Sequence, residues 1–482
     1  MEEMILNAGV SKIEITTDKI CVNDPLYAKV LVLEYAGEKS VLVSLDYVSM
    51  GGGISELSDA FFGNLKHKTQ NMGFKTLLCA TTHTHTHFPM CQEEGVVLEN
   101  ILMAINQASE NMCPVKVGAG VGHCDSFIIN RTLRVKNGGG WTIRQAHPCP
   151  KDEDIIGLND ADDSIGVLRV DRLDNTPLCV LFTFGCHPLV GYTNNRATAN
   201  YPGIAERFIE EHTGAMAMMF QSCGGDVTEI DYKDYDQPKN CTFAGLMLGQ
   251  EVLRVVKRIE MGNSKITTAH RKMVFPLRTD FSAIREKLLQ EREEIFQSMG
   301  GCPLNFKAFL PLYMKYLVNP EYPLDYAYAY MAEERRGSTQ LKEQDEINRK
   351  NIEKYLQNLQ AMERLSWLST TLETLAWHEK RNTNIGTEIE SEIVGIKIGD
   401  CVLISAPVEP LSALGARMRE YAVSKKTFLI GYANGFLHYG APPEVYNNGG
   451  YETIECMLAP TWLDIYEKAA QSVVNELEHN AP

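Results

Sequence analysis

The sequence has no CxxC pair, which removes the usual zinc-ribbon and thioredoxin-type signals. No apolar stretch approaches the roughly 20 residues that a membrane-spanning helix needs, so no membrane span is expected. Basic residues are outnumbered, 46 Lys and Arg against 62 Asp and Glu, for a net charge of −16. That balance argues against a cationic nucleic-acid surface, because phosphate binding needs clustered Lys and Arg. The opening MEEMILNAGVSKIEIT carries two acidic residues and no long apolar run. It does not read as a secretory signal, and a cytoplasmic location is expected. Internal repeats and low-complexity tracts are also missing. The thirteen cysteines are scattered and odd in number, and Cys79, Cys179, Cys186 and Cys401 sit inside apolar runs. Buried free thiols are the expectation, not a disulfide framework.

Hydrophobic residues make up 44% of the chain and charged residues 22%, ample for a large core. Short apolar runs at Val30–Tyr35, Ser40–Leu45, Thr76–Cys79, Ile165–Val170, Leu178–Phe184 and Met216–Phe220 are bounded by turn-forming residues and suit buried strands. Between them Ser55–Met72 and Val97–Met112 read as amphipathic helices. The alternation predicts an α/β fold of mixed β-sheets flanked by helices. Residues 280–380 differ in texture: apolar positions such as Ile284, Leu288 and Ile295 share a helical face amid many charges. They are expected to form a helical insertion within a single domain spanning residues 1–482, either a lid or oligomer surface or a plain solvated hairpin. Strand-like runs return at Ile393–Ile398, Val402–Ile404 and Thr427–Tyr432, before a closing helix.

Several motifs carry chemistry. Thr81-Thr82-His83-Thr84-His85-Thr86-His87 follows an apolar run. If the strand continues, its period of two puts all three imidazoles on one face, as metal ligands or as a ligand with a proton-transfer group. His83/His85 and His85/His87 are both open as the functional pair. His187, followed by Pro188, ends another buried-strand pattern, and ligands in α/β folds gather outside such strand ends. Gly224-Gly225 permits close backbone approach and could present N–H groups as an oxyanion site, or simply form a tight turn. Glu409, flanked by Val408 and Pro410, is a candidate ligand or base. Asn434 to Glu452 is a Tyr-rich loop able to bind a ligand or merely pack. Arg131 could hold a carbonyl or a carboxylate.

In their order along the chain these pieces resemble the neutral, non-lysosomal ceramidase family. Leu6–Thr16 is similar to its opening strand, the His/Thr run to its THTHSGP segment, and Asn130-Arg131-Thr132 to its NRS. Asp162–Leu168 and Phe184–Pro188 are similar to its next two segments. Gly225–Thr228 resembles GDVS, Pro407–Pro410 resembles PGEP, and the Tyr-rich loop resembles its closing loop. The resemblance implies a zinc ion held by His83, His187, Glu409 and Tyr439. It implies His85 as proton shuttle, Arg131 and Tyr451 as substrate-side groups, and Gly224, Gly225 and Thr228 at the substrate site. Thr228 stands where the family has Ser, and the Pro-Asn that follows is here Glu229-Ile230. No counterpart of the family's C-terminal immunoglobulin-like domain is expected.

The expected activity is hydrolysis of a carboxylic amide in a small N-acyl compound by metal-activated water. A zinc esterase or lactonase, or a non-catalytic ligand-binding relative, are the alternatives. The sequence leaves room for an oligomer.

Overall fold

The computed structural model describes residues 5–16, 21–51, 57–85, 94–136, 140–142, 150–194, 196–324, 327–422, 424–448 and 450–479. The chain divides into two compact units, one built from Met1–Arg144, Lys151–Thr279 and Arg381–Pro482, the other chiefly from Asp280–Lys380.

The larger unit is organised by an eight-stranded sheet: β1 (Asn7–Glu14), β2 (Tyr27–Tyr35), β3 (Glu38–Leu45), β4 (Phe74–Thr81), β5 (Cys113–His123), β6 (Ser164–Arg172), β7 (Pro177–Phe184) and β8 (Met216–Gln221). Their spatial order is β8-β7-β6-β5-β1-β2-β3-β4. Neighbours run antiparallel except at the two edges, where β3/β4 and β7/β8 are parallel. A parallel pair cannot be closed by a hairpin, and each edge is joined by a helix, α1 (Asp59–Asn71) or α3 (Asn200–Thr213). The near-continuous apolar runs of β2 and β3 are buried along their length, because both faces of this sheet are covered.

A second sheet stacks β9 (Ile266–Pro276), β10 (Glu388–Ile398), β11 (Cys401–Ser405) and β12 (Thr427–Ile430) in that order. Leu31, Leu33 and Leu78 of the first sheet share one apolar cluster with Ile396, Leu403 and Phe428 of the second. The outer face of the large sheet packs on α1 and α2 (Glu94–Glu110) at one side and on α3 and α4 (Thr242–Val256) at the other. The outer face of the second sheet packs on helix Trp462–His479. The layers are therefore helix, sheet, sheet, helix.

β5 is a strand that periodicity misses, because Gly118, Gly120 and Gly122 break its apolar pattern. A Cβ at Gly120 or Gly122 would stand 2.6 or 2.5 Å from Val255, so these glycines let α4 lie directly on the strand. The expected strands form with modest changes of boundary. The exception matters: β4 ends at Thr81, and His83 has φ of +61°. The histidine run does not continue the strand, and the period-two argument for it fails.

The second unit contains α5 (Phe281–Ser298), α6 (Phe306–Val318), α7 (Ala327–Arg336) and the portion up to Lys380 of α8 (Gln340–Ile385). Phe309 and Tyr316 of α6 pack with Ile352 of α8. Tyr316 and Tyr330 donate hydrogen bonds of 2.8 and 2.6 Å to the two oxygens of Asp345, tying three helices together. Among the described residues the cysteines are free thiols, most of them buried.

Candidate metal centre

Strand ends from both sheets deliver the chemistry-bearing side chains to one place. His83 and His85 follow β4, His187 follows β7, and Gly224 and Gly225 follow β8. Glu409-Pro410 follows β11 and pairs in parallel with Tyr439-Gly440. Arg131 and Thr228 come from the short antiparallel pair around Ile128–Asn130 and Val227–Glu229.

The centre is defined by where lone pairs point. The Nδ1–H of His83 donates to the Val48 carbonyl at 2.8 Å, and that of His187 to the Gly224 carbonyl at 2.6 Å. A carbonyl can only accept, so in both rings Nε2 carries the lone pair. These two atoms lie 3.5 and 3.2 Å from Glu409 Oε2. That oxygen is buried and has no hydrogen-bond partner. Burial pushes the His83 imidazole down to about 4, so the ring is neutral at pH 7 and the contact is not an ion pair. Burial likewise pushes the Glu409 carboxyl up, with His83 and Arg131 opposing. Two imidazole lone pairs and a carboxylate oxygen turned towards one another form a donor set that fits a divalent cation.

Tyr439 OH sits 3.4 Å from His187 Nε2 and accepts a 2.9 Å hydrogen bond from Arg131. Arg131 is itself buried. Its Nε donates to Glu452 at 2.8 Å, and its Nη2 also donates to the Gly225 carbonyl at 2.8 Å. The guanidinium therefore holds the Tyr439 oxygen in place. Its ring-face neighbours are Tyr439 and Tyr451, whose centroids lie 5.7 and 5.5 Å away. His85, exposed, places Nε2 3.0 Å from His83 Nε2. The histidine trio His83, His85 and His187 thus also meets the geometry of a metal site. His87 lies outside the described residues.

The glycine pair works differently from an oxyanion hole. Gly224 N donates to Ser222 O and Gly225 N to Pro410 O, so both amides are occupied. Their carbonyls matter instead, one orienting His187 and the other Arg131. A Cβ at Gly225 would meet the Glu409 and Pro410 carbonyl oxygens, each at 3.0 Å. Only glycine lets β8's loop lie against the Glu409 segment. The Thr228 hydroxyl is buried without a partner, which leaves it available to a ligand.

Sequence reasoning passed over a supporting network. Lys29, fully buried in β2, bridges Asp46 at 2.9 Å and Glu206 at 2.5 Å. Burial opposes its charge, but the two carboxylates more than offset this and hold the ammonium above its usual range. Asp46 also accepts from Thr82 Oγ1 at 3.2 Å and from Tyr27 N at 2.9 Å. The ion cluster therefore fixes the chain just before His83. Tyr432 closes the other side, its ring centroid 4.2 Å from that of His83. His83, Tyr432, Asn434 and His438 all have positive φ, uncommon backbone for residues with a Cβ and sustained here by the surrounding bonds. The one signal in the sequence was a lone Lys within the apolar run of β2.

No family model matches the sequence, and no curated protein is detectably similar to it. Solved structures do match. The neutral ceramidase from Pseudomonas aeruginosa superposes with a TM-score of 0.62 at 16% identity, covering 100% of this chain and 76% of that one. A structure described as ceramidase complexed with C2 superposes with a TM-score of 0.63 at 16% identity, with the same coverage. The chain has a neutral-ceramidase-like α/β fold of mixed sheets and flanking helices.

Proposed function

We propose that this chain is a metal-dependent hydrolase that cleaves the carboxylic amide of an N-acyl compound, with zinc as the metal. The carrying observation is the unpartnered Glu409 Oε2 facing the Nε2 lone pairs of His83 and His187. The fold it shares with ceramidases supports an amide over other acyl bonds.

His83, His187, Glu409 and Tyr439 would hold the ion, a nitrogen and oxygen set that suits zinc. When bound, the ion supplies Lewis-acid polarisation of the scissile carbonyl and lowers the pKa of water towards ~7. The protein's own contributions are these. Gly224 and Val48 fix the two imidazoles in the tautomer that leaves Nε2 free. Arg131 holds the Tyr439 oxygen and, through Glu452, is itself held against rotation. His85, at the solvent-facing rim, moves a proton to the departing amine. Thr228 offers a hydroxyl to the substrate.

The test combines metal analysis of purified protein with a paired panel of N-acyl amides and matching esters. Each is assayed after dialysis against a chelator and again after adding zinc back. The expected result is one strongly bound equivalent, loss of amide turnover on chelation and its return with zinc. Full turnover in the chelated protein would sink the proposal, and turnover of esters alone would reassign the bond.

A further inference from the structure

Helix α6 is apolar on two faces, and among the described residues only one of them has a protein partner. Its inner face, with Phe309 and Tyr316, is buried in the second unit. Phe306, Leu310, Met314 and Leu317 follow a spacing of four, four and three residues, which lines them along a different face. Phe306 is 63% exposed, Leu317 62% and Val318 66%, with Leu310 and Met314 each more than 40% exposed. A row of large apolar side chains in water marks a surface meant to be covered.

The charge on the helix points to what covers it. Its sequence, FKAFLPLYMKYLV, contains Lys307 and Lys315 and no acidic residue, within a chain whose net charge is −16. An exposed apolar face with flanking lysines is the pattern of a helix that lies in a lipid headgroup layer. Thirteen residues at about 1.5 Å each reach only about 20 Å, too short to cross a bilayer, and among the described residues no helix meets the length and hydropathy for that. Self-association through the same face is the less favourable arrangement. A two-fold contact gathers four lysines into one interface, with no carboxylate on the helix to pair with them.

We propose that the outer face of α6 is an interfacial site that seats this protein on an anionic phospholipid surface. The proposal builds on the amidase reading only in suggesting where an N-acyl lipid would be met; the surface is tested without turnover. Full-length protein is sedimented with vesicles of phosphatidylcholine alone or mixed with phosphatidylglycerol, at low and high salt. Wild type should sediment with the mixed vesicles and be released by salt. The double variants F306S/L317S and K307E/K315E should each lose at least about tenfold in partitioning. They change exposed or partly exposed positions, and unaltered melting and unaltered hydrolysis of a soluble short-chain amide would show that the fold and the centre are intact. The proposal is overturned if wild type ignores anionic vesicles, or if F306S/L317S sediments as wild type does. It is overturned equally if light scattering shows a dimer that these substitutions dissolve without any vesicle binding, which would assign the face to a second copy. A chain that binds vesicles but hydrolyses no amide would sink the amidase reading and leave this one standing.

Discussion

His187 Nε2 stands 3.2 Å from Glu409 Oε2, and no hydrogen bond joins them. His187 has already spent its ring proton on the Gly224 carbonyl, so two acceptors face each other in a buried space. In the absence of a cation this arrangement costs stability; with one, it becomes a binding site. The same pair therefore gives predictions of opposite sign for the metal-free and metal-loaded protein.

Replacing Glu409 with Gln supplies an N–H that can donate to the His187 lone pair. In chelator, Glu409→Gln should be more stable than wild type, by about 1–3 kcal/mol, since an unmet buried acceptor is removed. With zinc present the order should reverse, because the variant no longer retains the ion. Thermal melts with and without chelator, alongside metal analysis, read both halves.

Arg131 is bonded to Glu452, Gly225 and Tyr439 at once. Lysine keeps the charge but not the planar fork. Arg131→Lys is expected to lower kcat by roughly a hundredfold, the scale of a misplaced catalytic contact, with a smaller change in KM. A KM-dominated loss would instead place Arg131 against the substrate.

At Gly225 an added methyl would press on Leu411 Cδ2 at 2.9 Å and on the Glu409 and Pro410 carbonyl oxygens at 3.0 Å. Gly225→Ala should weaken zinc retention by shifting Glu409, while the far-ultraviolet circular dichroism stays that of wild type. Titration with a competing zinc chelator measures this, and unchanged affinity would mean the loop can move away.

The ion cluster under His83 should be expensive to break singly. Lys29→Met leaves Asp46 and Glu206 facing each other without a counter-charge, and a loss of about 3–5 kcal/mol is expected. The triple replacement Lys29→Met, Asp46→Asn, Glu206→Gln should recover a large part of it. Denaturant titration of the two proteins provides the comparison.

Glu229 gives a pH signature. Its Oε2 accepts from Leu189 N at 2.8 Å and Val190 N at 2.7 Å, and Oε1 has no partner. Burial pushes this carboxyl up to about 8. Between its unfolded value near ~4.3 and about 8 the folded protein holds a proton that the unfolded chain has released. Its contribution to stability is therefore fully present below that window and falls as pH rises, by up to about 1.4 kcal/mol per pH unit, levelling off above it. Glu229→Gln should flatten this part of the stability profile and melt higher at pH 8. An identical slope in wild type and variant would rule the carboxyl out as the source.

The strands of the large sheet were readable because burial on both faces demands unbroken apolar runs, as at Val30–Tyr35 and Ser40–Leu45. β5 was not, because its pattern is set by the helix lying on it and not by its own burial: the glycines that admit α4 look like turn residues. The histidine run was singled out for its residue types, by an argument that fails geometrically. The strand stops at Thr81, and His83 reaches its place through a left-handed turn held by Val48, Tyr432 and the Lys29 cluster.

The sequence by itself determined the class of the fold, the alternation of its strands and helices, and the residue types capable of holding a metal. These follow from local periodicity and from side-chain chemistry, which a chain carries wherever it goes. Which atoms of those side chains meet was decided by the tertiary structure alone. Imidazole tautomers are set by carbonyls of Val48 and Gly224, both remote in sequence and both in loops that follow other strands, and the orphan oxygen of Glu409 exists only because the ends of two sheets converge. The glycine amides that looked free were claimed by neighbours, and their carbonyls took over the structural work. Long-range hydrogen bonding assigns every lone pair in a buried site, and no local pattern encodes it.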